Sequence, residues 1–167
     1  MTLNWSKGEQ SKNPPAREVK RDEMVTDPQP FVPILTVMVD YGNAPFLWLV
    51  DKPDQGGVGP NWCDGTSWDE SLPMSEGLWR KFADWAIEFD RTSFYSDDFD
   101  ASSWDWQAFH ERGLQLARWL KEEVGETYRV IYMTPAEDPN DHQDERREIL
   151  ATGELLALPS FGNLQAK

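Results

Sequence analysis

The residues best able to do chemistry cluster in one stretch, "SFYSDDFDASSWDWQAF", residues 93–109. Asp97, Asp98, Asp100 and Asp105 stand there among Phe94, Tyr95, Phe99, Trp104, Trp106 and Phe109. Asp98-x-Asp100-x-Ser102 matches the start of a calcium loop of the EF-hand type. The match then fails, because the sixth position is Ser103 instead of the turn-forming Gly. The twelfth is Phe109 instead of a bidentate Glu. A second acidic run, "DPNDHQDERRE" at residues 138–148, carries His142 with Asp138, Asp141, Asp144 and Glu145. One imidazole in a proline-interrupted run is a poor metal site, and a solvated loop explains it better. His110-Glu111 lacks the second His of a zinc-protease helix, so it reads as a histidine on a helix surface.

Nucleophilic chemistry has one thiol to draw on. Cys63 could pair with His110 or His142, but the flanking "NWCDG" sets Asp64 beside it, which disfavours the thiolate. The chain has no G-x-S-x-G elbow and no glycine-rich phosphate loop. No catalytic residue, metal or cofactor is therefore assigned. With a single cysteine there is no intrachain disulfide and no four-cysteine site.

Bulk properties narrow the partner. The formal net charge is −14 over 167 residues, with 30 acidic against 16 basic side chains. Such a field repels nucleic acid and anionic membrane and favours a basic protein partner. Lys and Arg are scattered, so no basic footprint for nucleic acid survives. No apolar run is long enough to span a membrane. "MTLNWSKGEQSKNPPAREVKRDE" lacks the apolar core of a secretory signal, so the expected compartment is the cytosol. Nine Trp and 13% aromatic residues argue for a folded domain.

The elements that must position these residues read as follows. Residues 1–30 are polar and proline-punctuated, an arm without its own core. Ile34–Val39 and Phe46–Val50 flank the turn residues Tyr41-Gly42-Asn43-Ala44, which predicts a hairpin. Residues 52–73 form a long Gly/Pro/Asp loop holding Trp62 and Trp68. Ser75 caps a helix whose stripe is Leu78, Phe82, Trp85 and Phe89, with Trp79 and Ala86 beside it. Ser102 or Ser103 caps a second, with Trp106, Phe109, Gly113, Leu116, Ala117, Leu120 and Val124 inward and Gly125 as its stop. Residues 127–134 alternate as a strand, and Asp141–Ala151 reads as a short helix. Ile149, Leu150, Leu155 and Leu156 are expected to turn back onto the core.

The order β-β-α-α-β gives an α+β fold: a small sheet containing antiparallel pairs, with two amphipathic helices on one face. One domain spans residues 31–157, followed by a tail at 158–167. Trp79, Trp85, Trp106 and Trp119 are assigned to the core. Trp62, Trp68 and Trp104 lie in loops and are freer to meet a partner. Aromatic anchors in a carboxylate rim suit recognition of a basic protein.

Three segments carry a family resemblance. "VMVDYGNAPFLWLVD", "LPMSEGLWRKFADWAIEFD" and "FDASSWDWQAFHERGLQLARWLKEEVGETYRVIYM" resemble small bacterial immunity proteins of polymorphic-toxin loci, including those of Rhs-type and type VI-secreted effectors. The pieces are a D-Y-G turn, an L-P-x-S-x-x-L helix start, and a G-x-x-L-A-x-x-L-K-x-E-x-G helix running into a V-x-Y strand. The resemblance spans about residues 37–133. It implies a non-enzymatic protein that neutralises a cognate toxin domain by binding it. On that reading Asp97, Asp98, Asp100, Trp104 and Asp105 are the expected contacts, with Asp64, Trp68 and Asp69 next. Two other readings are an adaptor that loads an effector without inhibiting it, and a carboxylate-dependent enzyme.

Overall fold

The computed structural model describes residues 30–92, 100–139 and 145–159. They form a six-stranded sheet and two helices, an α+β architecture. β1 (Ile34–Val37) and β2 (Leu47–Val50) are the expected hairpin, antiparallel with Leu35 opposite Leu49 and Val37 opposite Leu47. Gly42, Asn43 and Ala44 all take positive φ in its turn. The turn is tied to the far end of the first helix: the Gly42 amide donates to Asp90 Oδ1 at 2.8 Å, and the Tyr41 and Thr92 hydroxyls lie 3.0 Å apart.

The stretch expected to be a structureless loop holds a further strand, β3 (Asn61–Cys63), paired with β2. The helix α1 (Glu76–Asp90) is capped by Ser75, whose side chain accepts from the Leu78 amide. Before α2 (Trp106–Val124) comes a short 3-10 turn, Ala101–Ser103. Ser102 and Ser103 belong to that turn, and the α2 cap is Asp105. A carboxylate placed at the positive end of the helix does this work at least as well as a hydroxyl. Gly125 ends α2 at φ 56, a conformation costly for any residue with a Cβ.

β4 (Arg129–Met133) lies parallel to β1, Leu35 beside Val130 and Val37 beside Tyr132. A parallel pair needs a long crossover, and β2, β3, α1 and α2 all lie within it. Of the short helix expected over Asp141–Ala151, residues 141–144 lie outside the described residues, and the rest holds instead β5 (Arg146–Ile149), which pairs with β4 and with β6 (Leu155–Leu158). Alternation favours the strand: the Arg129 guanidinium grips Glu148 through two bonds of 2.8 and 2.7 Å, and Ile149 is buried. Leu155 and Leu156 do not turn inward; they are exposed on the edge strand β6. The strand order is β3-β2-β1-β4-β5-β6.

The core lies between one sheet face and the helices. Leu35, Val37, Leu47, Val130, Tyr132 and Ile149 meet Phe82, Trp85 and Phe89 of α1 and Phe109, Ala117 and Leu120 of α2. Phe46 stacks on Phe82 at 5.1 Å and Trp85 on Phe109 at 4.9 Å. Gly113 permits the close approach: a Cβ there would stand 2.5 Å from Trp85 and 2.6 Å from the Tyr132 ring.

Candidate protein-binding surface

The sequence-predicted residues fall into two groups. Asp64 and Asp69 follow β3 and build successive Asx turns. The Asp64 carboxylate accepts from the Thr66 amide at 3.0 Å, and that of Asp69 from the Ser71 amide at 2.7 Å and from the Ser71 hydroxyl. The Ser71 hydroxyl and amide hold the Asp69 carboxyl below its usual range. Trp68 is half-buried, its indole donating to the Met74 carbonyl at 3.2 Å. Trp79 of α1 fixes the same segment by donating to the Asp64 carbonyl at 3.2 Å.

The second group precedes α2. Asp100 caps the 3-10 turn, accepting from the Ser102 amide at 2.9 Å and hydroxyl at 2.6 Å; these bonds lower its carboxyl pKa. Asp105 accepts from the Ala108 amide at 3.0 Å. Trp104 is half-buried against Trp106 and Phe109, with ring centroids 6.5 and 6.0 Å away. Asp97 and Asp98 lie outside the described residues. Both groups border Ile87 of α1. Gly65 backs onto it, and Trp104 shares with it a hollow of about 500 Å³ that Asp84, Glu88 and Arg91 also line.

That hollow continues into a groove of about 350 Å³ between α1 and α2, which shares Asp84 and Glu88 with it. Three ties cross the helix pair. Glu123 accepts from the Ser75 amide at 2.6 Å and hydroxyl at 2.7 Å. Lys81 Nζ stands 4.4 Å over the Trp119 ring. Arg112 donates to both Glu88 oxygens at 2.6 and 2.7 Å. Trp85 and Leu116 line the groove with apolar surface, and Asp84 and Gln115 complete it. Trp119 was expected in the core; it is 36% exposed instead, because it flanks the buried Leu116 and Leu120 on the outer side of the helix.

Of the remaining chemical candidates, Asp141, His142 and Asp144 lie outside the described residues, while His110 and Cys63 are held within the fold. His110 is not on the free helix surface. Its Nδ1 lies 2.7 Å from the Tyr132 hydroxyl and its Nε2 2.7 Å from Asp138 Oδ2, with Trp106 stacked at 5.7 Å. Cys63 is buried, and desolvation, with a smaller contribution from neighbouring Asp64, pushes its thiol up to about 12. Among the described residues, no group of three His, Cys, Asp or Glu side chains converges as metal ligands. Among the same residues, no helix is long and apolar enough to cross a membrane.

Comparison with known proteins adds one result. The family model described as Serratia CdiI immunity protein-like matches residues 33–135, from the start of the sheet to just past β4. Neither a curated protein nor a solved structure matches significantly.

Proposed function

The chain belongs to the Serratia CdiI immunity protein-like family, and we propose from that membership that it neutralises a cognate toxin domain by direct, non-catalytic binding. The family match across most of the folded domain carries this reading. It points to an immunity protein of contact-dependent inhibition and lends no support to the Rhs-type or type VI assignment drawn from the sequence motifs.

The partner is a basic toxin domain met in the cytosol. The net charge of −14 supports this, since it speeds encounter with a basic surface and disfavours nucleic acid and anionic membrane. The contact surface comprises the carboxylate-rich turns at Asp64, Trp68 and Asp69 and the segment holding Asp97, Asp98, Asp100, Trp104 and Asp105. Carboxylates already fixed by Asx turns and caps lose little freedom on binding, which favours affinity.

The test is co-expression of the toxin domain encoded beside this gene, with and without the protein. Survival only with the protein is expected. Equal killing in both cultures overturns the proposal. A stable complex that leaves the toxin active would mark an adaptor instead. Within the surface, Asp97→Lys with Asp98→Lys should weaken binding while leaving the fold intact, and unchanged affinity removes that segment from the interface.

A further inference from the structure

The groove between α1 and α2 has a composition that selects its occupant. Its floor is apolar, formed by the buried Trp85 and Leu116, and one end is the accessible face of Trp119. The Asp84 carboxylate, on the α1 side, has no hydrogen bond or ion pair with any described residue. The protein's own Lys81 already rests over the Trp119 ring, so this ring face is presented to a cation.

We propose that this groove seats an arginine side chain of a protein partner. Its methylene stem lies along Trp85 and Leu116, and its guanidinium stacks on Trp119 and pairs with Asp84. An arginine is amphipathic in the same sense as the groove, with an apolar stem and a cationic tip. A purely apolar side chain would bury the Asp84 carboxylate without a partner, which is costly. A lysine gives a point charge without the planar face that stacks on an indole and the fork that grips a carboxylate. Lys81 can yield the ring, because Glu122 lines the adjoining hollow with Lys81 and Trp119 and offers it a carboxylate. The Arg112–Glu88 pair closes the other end of the groove. The excess of 30 acidic over 16 basic side chains makes the whole surface complementary to such a residue.

The proposal rests on the protein-binding reading above for its biological partner, but the seat itself is tested without one. The full chain, carrying ¹⁵N-labelled tryptophan, is titrated with N-acetyl-arginine methylamide and, separately, with the norleucine analogue. The Trp119 indole resonance, assigned by Trp119→Phe, should shift saturably with arginine in the millimolar range and not with norleucine. Asp84→Ala should abolish that shift while leaving the thermal midpoint unchanged. No arginine-specific shift, or an identical one in Asp84→Ala, overturns the seat. In a second arm, Asp84→Ala and Trp119→Ala should each weaken binding of the co-encoded toxin domain by roughly tenfold or more. Full protection with affinities within about twofold of the parent protein would overturn the groove and leave the immunity function standing. Loss of protection by the parent protein, with the arginine shift intact, would do the reverse.

Discussion

His110 Nε2 lies 2.7 Å from Asp138 Oδ2 while its Nδ1 meets the Tyr132 hydroxyl at 2.7 Å, so one imidazole joins α2 to β4 and to the turn after it. Asp138 and Tyr132 are almost fully buried. Tyr132→Phe keeps the ring and removes only the hydroxyl. It should cost about 1–2 kcal/mol, and Asp138→Ala more, because buried polar groups are then left unsatisfied. Urea unfolding measures both, and an unchanged midpoint in Asp138→Ala would contradict a structural role for this relay.

Gly113 should tolerate no side chain. Its missing Cβ leaves room for the rings of Trp85 and Tyr132, which are themselves stacked or tilted against other core rings and cannot retreat far. Gly113→Ala gains helix propensity of about 1 kcal/mol. Overpacking of about 1–3 kcal/mol or more opposes that gain and wins. A lower thermal midpoint is the expected result; a raised one would mean that the helices slide apart freely.

Asp105 caps α2 through the Ala108 amide. Asp105→Ala should destabilise the protein by about 1 kcal/mol and Asp105→Ser by much less. Equal losses would place the effect in charge instead of capping. The pair also separates stability from recognition at a residue proposed to contact the partner.

Cys63 should be inert in the native protein. With its pKa pushed from 9.0 up to about 12, the thiol remains protonated at pH 8, with only about one in ten thousand ionised. Burial at 4% exposure blocks the reagent as well. A chromogenic disulfide reagent at pH 8 should react slowly with the folded chain and rapidly in denaturant. Rapid native labelling would reopen the nucleophile reading.

The elements with repeated spacing were the legible ones. Leu78, Phe82, Trp85 and Phe89 recur on a helical period, and all are buried as that period requires. The hairpin was legible because its turn residues separate two apolar runs. β3 spans only Asn61–Cys63, too short for alternation to register. β5 was hidden by charge. Arg146, Arg147 and Glu148 resemble a solvated helix face until Arg129 is brought across to Glu148. The groove was illegible for a related reason. Lys81 and Trp119, or Glu88 and Arg112, are ordinary surface residues of separate helices, and only the antiparallel packing of α1 on α2 makes them neighbours. Trp119 carried one signal, since it sits beside the apolar stripe of α2, not within it.

Neutralisation by binding requires stoichiometric inhibition without turnover. The most direct measurement is the activity of the purified cognate toxin domain, held well above the dissociation constant and titrated with the full chain. A linear fall to complete inhibition at one equivalent is predicted, with activity recovered when the two are separated. Inactivation by a small fraction of an equivalent, or activity undiminished at excess protein, would contradict it.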